Sequence, residues 1–271
     1  MPVADCHFHV FDPARFPYQS GLIYTPHASQ AGTADQLLAV FDAHGISHGL
    51  AVGGAPYGND NRCLLDGIAR SNGRLRGIAL VKHDVADKEI AALVDGGIVG
   101  VRINLHNLGL APLLDPQTPA LLAKIKAANW FCQIQCDKDQ IAEAMPILKK
   151  AGVRVMIDHC GRTDPVTGPA SAGFKALLEL GRSGMGVIKL SGPFRFSKLA
   201  YPHPDTDVIV HQLIEAFTPD NCVWGSDWPF VRLDMRVDYG PTRAVFDRWV
   251  PDAKMRQKIL WDTPARLFGF K

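Results

Sequence analysis

The stretch Ala4–Phe11 reads ADCHFHVF, an apolar run interrupted by two histidines one residue apart. Alternate side chains of a β-strand point to the same side, so His7 and His9 are expected to share one face, with Cys6 and Phe8 on the other. Paired imidazoles suit metal ligation, carbonyl polarisation or proton transfer. The alternative interpretation is two hydrogen-bonded histidines near the surface, and the rest of the chain has to decide between the two.

Seven further short, apolar and β-branched runs follow this one, and segments of helical periodicity separate them. The predicted strands are Ala4–Phe11, His48–Gly53, Leu75–Val81, Val99–Leu105, Phe131–Cys136, Val153–Cys160, Gly186–Gly192 and Cys222–Trp228. The predicted helices are Thr33–His44, Asp60–Ser71, Lys88–Val94, Pro119–Asn129, Gln140–Lys150, Ala172–Arg182, Asp207–Phe217 and Pro241–Val250.

Regular alternation of strands and helices predicts parallel strands with right-handed crossovers, and eight repeats match a closed (β/α)₈ TIM barrel. The competing α/β fold, a doubly wound open sheet, normally carries a glycine-rich turn after its first strand. Here that position holds His7-Phe8-His9-Val10-Phe11-Asp12-Pro13, without a glycine. We therefore predict an α/β protein with one barrel domain over residues 1–271.

The composition narrows the function classes. The 271 residues are 47% hydrophobic and 21% charged, with a formal net charge of +2 and no basic cluster. This predicts a globular protein that binds neither nucleic acid nor membrane. The six cysteines form no close pairs and no signal peptide is recognisable, which predicts reduced thiols in the cytoplasm. A homo-oligomer is compatible with the sequence but is not indicated by it.

Active sites of TIM barrels lie at the carboxyl ends of the strands. The predicted strand four places Arg102, Asn104 and His106 on one face, and titratable residues also end strands six to eight. Each has a structural alternative. Arg102 can pair with an acid to tie strands together, and Arg195 can be a solvated loop charge.

Other polar residues are harder to assign. Asp158 is expected to be a structural hydrogen-bond acceptor, because on a strand it faces away from His159. Tyr57, in the loop after strand two, is a candidate for the pocket wall or for the surface. No role follows for Lys82 or Lys189, and several histidines are expected at the surface: His27, His44, His48, His203 and His211.

The ordered motifs resemble the amidohydrolase-related (amidohydrolase 2) family, in particular its 2-pyrone-4,6-dicarboxylate lactonase-like branch. The matching stretches are 5–11 (DCHFHVF), 58–61 (GNDN), 100–104 (GVRIN), 157–162 (IDHCGR), 189–195 (KLSGPFR), 224–229 (WGSDWP) and 262–270 (DTPARLFGF). The resemblance implies a barrel hydrolase that opens a carboxylated small-molecule lactone, as in aromatic degradation.

The resemblance also implies roles for individual residues. Asp227 would be the general base on water. The three imidazoles of His7, His9 and His159 would polarise the carbonyl and stabilise the oxyanion. Substrate carboxylates would be bound by Arg102 and Arg195. Apart from the resemblance, Asn104 on strand four and Tyr57 in its loop are further candidates for substrate contact.

Two departures from that pattern limit the assignment. Leu108 stands where the branch carries a second arginine, so the resemblance does not identify the natural lactone. His106 is a candidate to replace part of the polarity of that arginine. Many relatives bind one divalent ion, and the same four residues (His7, His9, His159 and Asp227) would be its ligands here. The expectation is a reaction without a cofactor. The alternatives are a mononuclear zinc hydrolase and a metal-dependent decarboxylase of an aromatic or unsaturated acid.

Overall fold

Eight parallel strands form one sheet in the order of the chain, β1 to β8. The computed structural model describes residues 1–21 and 23–271. The strands are β1 Ala4–Phe8, β2 His48–Val52, β3 Leu75–Ala79, β4 Ile98–Asn104, β5 Phe131–Gln135, β6 Arg154–Ile157, β7 Gly186–Ser191 and β8 Cys222–Gly225. All eight predicted strands are confirmed, and the fold is the predicted TIM barrel.

Helices connect successive strands and surround the sheet. They are α1 Ala34–Ala43, α2 Arg62–Arg70, α3 Asp87–Asp95, α4 Leu105–Leu108, α5 Ala111–Leu114, α6 Thr118–Ala127, α7 Gln140–Ala151, α8 Ala172–Arg182, α9 Asp207–Phe217, α10 Tyr239–Trp249, α11 Ala253–Gln257 and α12 Thr263–Phe268. The eight predicted helices are all present. In the described part of the chain, no helix has the length and apolar character needed to cross a membrane.

The barrel closes where β1 and β8 end. Phe8 and Trp228 form a parallel bridge, and the His9 N–H donates to the Trp228 carbonyl at 2.8 Å. The Asp227 N–H donates to the His7 carbonyl at 2.7 Å. Closure of the fold and placement of three predicted site residues therefore depend on the same backbone contacts.

The first strand is irregular, which corrects one prediction. Its register with β2 shifts between Asp5 and Phe8. As a result Cys6 lies with the residues that fill the barrel interior, whereas Phe8 packs outward against Phe41 of α1. The shift also brings the neighbouring His7 to the inner side, so strict alternation does not describe this strand.

Three strands end three residues earlier than predicted, and the reason lies in the backbone. β6 stops at Ile157 and β8 at Gly225. His159 (φ 49°) and Asp227 (φ 66°) then adopt left-handed conformations that cannot continue a strand. Non-glycine residues held in this region cluster at functional sites. β1 likewise ends at Phe8, which leaves His9 at the start of a loop.

Candidate active site

Four predicted residues meet at the carboxyl end of the barrel. Oδ1 of Asp227 lies 3.6 Å from Nε2 of His7 and 3.9 Å from Nε2 of both His9 and His159. All four side chains are buried. The structure brings together His7, His9, His159 and Asp227, which we call the four-residue cluster.

Asp227 is held in its ionised form. Its Oδ2 accepts a hydrogen bond from Nε of Arg195 at 2.7 Å. Burial opposes ionisation, but Arg195 and the surrounding imidazoles outweigh it and keep the pKa of Asp227 below its usual range. Arg195 also donates to the Val231 carbonyl at 2.9 Å. Much of its hydrogen-bonding capacity is therefore used inside the protein, and it is not a solvated loop charge.

The imidazoles of the cluster are neutral near pH 7, because burial lowers their pKa values. The pKa of His9 falls to about 4 and that of His159 to about 3, while the pKa of His7 is well below its ordinary value. A neutral imidazole has one N–H and one lone pair. The role of each histidine is therefore set by the partner of its other nitrogen.

His9 departs from its predicted role for this reason. Its Nδ1 lies 2.8 Å from the Val52 carbonyl, which can only accept, so the proton of neutral His9 is on Nδ1. Nε2 then presents a lone pair, which can accept from water or bind a cation but cannot donate to an oxyanion. His159 Nδ1 lies 3.0 Å from Oγ of Ser191, and a hydroxyl permits either arrangement.

Asp158 lies beneath the cluster, with one carboxylate oxygen hydrogen-bonded and the other close to His7. Its Oδ2 accepts from Arg102 Nε at 2.9 Å and from Gln133 Nε2 at 3.1 Å, and Oδ1 lies 3.1 Å from Nδ1 of His7. Burial raises the pKa of this carboxyl, but His7, Arg102 and Lys189 reverse the effect and hold it well below the usual range. The expected acceptor role agrees with these contacts, although Asp158 does not face away from the site.

A cavity of about 150 Å³ opens above the cluster. Arg102, Arg195 and Asn104 are in its wall, and their binding of a substrate stays a prediction. Two further arginines, Arg162 and Arg232, had no assigned role. Among the described residues, Arg162 Nε is buried without a hydrogen-bond partner. Of the described residues in the wall, Asp227 alone has a carboxylate, so the cavity is strongly positive and suits an anionic ligand.

Loop residues account for most differences from the predicted site. Tyr57 is buried beside the cavity, with its hydroxyl accepting from the Asp12 N–H at 2.8 Å, and is not part of the described wall. Tyr24 lines the cavity instead, with the Arg232 guanidinium 5.0 Å from its ring centre. No periodicity or motif signals Tyr24 or Arg232, because long loops bring them to the barrel mouth.

The remaining predictions have mixed outcomes. His106 lines the cavity, with Nδ1 3.3 Å from Asp137 Oδ2, whereas Leu108 is exposed beside it. Lys82 lies in a neighbouring cavity. The prediction of a surface position is wrong for His203, which is buried with its Nδ1 bound to the Leu199 carbonyl at 2.9 Å.

The four-residue cluster fits a divalent metal ion by donor type. Ligand atoms of His7, His159 and Asp227 lie within 4.8 Å of one another, and imidazole nitrogen with carboxylate oxygen is a usual ligand set for zinc. Within the described part of the chain, Nε2 of His7 is buried and lacks a hydrogen-bond partner. The same atoms can surround a water molecule and a carbonyl oxygen, so catalysis without a metal stays a prediction.

Asp5 fixes the loop that carries Asp227. Its Oδ1 accepts from the backbone N–H groups of Ser226 at 3.0 Å and His7 at 3.1 Å, and Oδ2 accepts from the Tyr239 hydroxyl at 2.8 Å. Burial raises the pKa of Asp5 to about 6 despite these bonds. The Asp5 side chain therefore positions β8 against β1, although burial makes its ionised form unfavourable.

The raised pKa of Asp5 predicts a pH-dependent effect of Asp5→Asn. Between about pH 4 and pH 6 the folded protein keeps a proton that the unfolded chain has lost, so the wild type loses stability as pH rises. Because asparagine does not titrate, the variant does not lose stability in this way. Its unfolding free energy relative to wild type should rise across that window, by at most about 3 kcal/mol. Urea unfolding at several pH values measures the difference, and a constant difference would contradict the assignment.

Comparison with known proteins extends over nearly the whole chain. Residues 4–270 match the model of the amidohydrolase family. The chain is 32% identical over 270 residues to 4-sulfomuconolactone hydrolase of Rhizobium radiobacter, covering 98% of this chain and 89% of that protein. It is 30% identical over 276 residues to 2-pyrone-4,6-dicarboxylate hydrolase of Comamonas testosteroni, and the match covers 97% of this chain and 89% of that protein.

One solved structure resembles this barrel over the full length of both chains. It comes from Acinetobacter baumannii, carries the name of a 2-pyrone-4,6-dicarboxylic acid hydrolase, and was determined with citric acid bound. The TM-score is 0.89 at 30% sequence identity, with 100% of each chain covered. The similarity is therefore not confined to the segments that line the cavity.

Proposed function

This chain belongs to the amidohydrolase family, as its motifs predict, and from that premise we propose that it hydrolyses a small lactone that carries anionic groups. The observation that carries the proposal is the position of Asp227 among three neutral imidazoles, at the floor of a cavity lined by arginines. The named relatives act on lactones of this kind: one is a 4-sulfomuconolactone hydrolase and another a 2-pyrone-4,6-dicarboxylate hydrolase.

The arrangement supports attack by water on the lactone carbonyl. Asp227 Oδ1 accepts a proton from water as the water oxygen forms a bond to the carbonyl carbon. The lone pair of His9 Nε2, 3.9 Å from that carboxylate oxygen, accepts the second hydrogen bond of the same water. Together the two acceptors hold water with its oxygen free to attack.

Donors are needed on the opposite side, where negative charge develops on the carbonyl oxygen. His7 and His159 supply them in the form that has the proton on Nε2. The ring C–O bond then breaks, and Asp227 returns its proton to the leaving oxygen. The products are a new carboxylic acid, which releases a proton at neutral pH, and a hydroxyl or its keto tautomer.

The arginines define the substrate class. Arg102 has its Nε bound to Asp158, which leaves both Nη groups without a hydrogen bond in the described part of the chain. Arg162 and Arg232 add positive charge to the cavity wall, in part compensating for Leu108. Arginine binds a carboxylate through two parallel hydrogen bonds. A lactone with one or two acidic substituents therefore matches the cavity better than a neutral sugar lactone.

A metal ion would be held by the same residues: His7, His9, His159 and Asp227. When bound, it would act as a Lewis acid on the carbonyl and lower the pKa of a bound water. The chain's own residues bind and orient the substrate in either case, through the arginine wall.

A panel assay tests the proposal. Purified enzyme is offered muconolactone-type lactones with one carboxylate, with two carboxylates and with a sulfonate, together with a neutral sugar lactone. Proton release is followed before and after chelation, with elemental analysis of the protein. Hydrolysis confined to the acidic lactones is expected.

Each outcome of the panel decides one point. Activity that survives chelation in metal-free protein supports the expected reaction without a cofactor, and loss that zinc restores supports the mononuclear alternative. Preference for the neutral lactone would contradict the role of the arginines. Release of carbon dioxide from an unsaturated acid, without lactone opening, would replace the proposal with a decarboxylase.

A further inference from the structure

A fully buried lysine lies directly under the four-residue cluster and takes no part in the mechanism above. Lys189, on β7, is 0% exposed. Its Nζ donates to Gln133 Oε1 at 2.8 Å, and lies 3.3 Å from His7 Nδ1 and 3.5 Å from Asp158 Oδ1. Lysine is among the residues least often buried completely, and when buried it is normally paired. Its contact with His7 therefore calls for an explanation.

Two groups compete for Nδ1 of His7, and they have opposite consequences. If Asp158 accepted a hydrogen bond from an N–H on Nδ1, then Nε2 would present a lone pair to the cavity. If Lys189 donated to Nδ1, the proton of the neutral ring would be on Nε2. The choice decides whether His7 can donate to an oxyanion or only accept.

The geometry favours Lys189. Asp158 Oδ1 is 3.1 Å from Nδ1, yet it has no hydrogen-bond partner in the described part of the chain. Proximity alone does not make a hydrogen bond, which also requires alignment with the ring N–H. An ammonium group has donors only, so its contact with Nδ1 makes that nitrogen an acceptor.

We propose that Lys189 is a positioning residue that holds the proton of His7 on Nε2 by donating a hydrogen bond to Nδ1. The imidazoles of the cluster then differ in role. The Val52 carbonyl makes His9 an acceptor for water, and Lys189 makes His7 a donor to the oxyanion. The catalytic consequence rests on the proposed lactone hydrolysis, whereas the proton position does not.

The same arrangement bears on metal binding. A metal ion would need the lone pair of His7 Nε2, and Lys189 opposes that form. Lys189→Met removes the donor at similar length. The ring can then carry its N–H on Nδ1 and direct it toward Asp158 Oδ1. Because Nε2 would then present its lone pair to the cavity, we expect the affinity for zinc to increase.

Nitrogen NMR of histidine-labelled, chelator-treated protein tests the proposal without any substrate. The His7 signals are assigned from their loss in His7→Gln. Wild-type protein should show His7 protonated on Nε2, and Lys189→Met should show it protonated on Nδ1. Arg162→Met is the matched control, because it removes one positive charge from the cavity and makes no hydrogen bond to His7; its His7 signals should not change.

Protonation of His7 on Nδ1 in the wild type would overturn the proposal, whether or not Lys189→Met folds. An unchanged tautomer in folded Lys189→Met would overturn it as well. With a lactone from the panel, Lys189→Met should lower kcat by about 10²–10³-fold, the usual loss for one oxyanion donor, and leave KM within a few-fold. If no lactone is hydrolysed, the proposed function fails while the NMR result still decides the role of Lys189.

Discussion

Replacing Asp227 with asparagine should lower kcat by at least about 10³-fold and leave substrate affinity nearly unchanged. The amide keeps the shape of the side chain but cannot accept a proton from water. The arginine wall, which carries affinity in the proposed mechanism, is intact in this variant. A fall in kcat without a rise in KM is the signature of a group that acts in the transition state.

Steady-state kinetics and direct binding measurements on the same preparation separate the two effects. Asp220→Asn provides a matched control, because Asp220 pairs with Lys258 and is not in the cavity wall. It should retain wild-type kinetics. Substantial turnover by Asp227→Asn would show that another group removes the proton.

Arg102→Ala should both weaken binding and destabilise the fold. Loss of a charge-assisted hydrogen bond to a substrate carboxylate should raise KM by about 10- to 100-fold. In this variant Asp158 Oδ2 also loses the hydrogen bond that it accepts from Arg102 Nε at 2.9 Å. Breaking a buried ion pair costs about 3–5 kcal/mol, and we expect the lower end because Lys189 and Gln133 remain beside Asp158.

Arg162→Ala distinguishes these two consequences. Arg162 lines the same cavity, but within the described residues its side chain makes a single hydrogen bond, from Nη2 to the Arg195 carbonyl at 3.4 Å. It should therefore raise KM with little change in the denaturant midpoint. An unchanged KM in Arg102→Ala, together with lost stability, would favour the structural alternative, in which Arg102 serves only to tie strands together.

Much of the fold was predictable because local pattern and global topology agree. Alternating strand and helix periodicities require parallel pairing, and eight repeats lead to a closed barrel. Strand ends were less predictable. The left-handed residues His159 and Asp227 stop β6 and β8 early, and such conformations are imposed by the loops that hold them.

The site was predictable where residue type and strand position suffice. His7, His9, His159 and Asp227 follow from that logic, and the structure brings them together. Tyr57 is a candidate for the pocket wall or for the surface by its place in a loop, and the described wall contains Tyr24 instead. Loop paths depend on packing between distant segments, which a single sequence does not display.

By itself the sequence determined the barrel, the order of its strands and the four titratable side chains at its carboxyl end, since periodicity and strand position set all three. Only the tertiary structure decided how those side chains are protonated. The Val52 carbonyl lies 43 residues from His9, and the Lys189 ammonium 182 residues from His7. A buried imidazole takes its tautomer from whichever donor or acceptor the fold places against its second nitrogen, and that partner is known only once the barrel has closed.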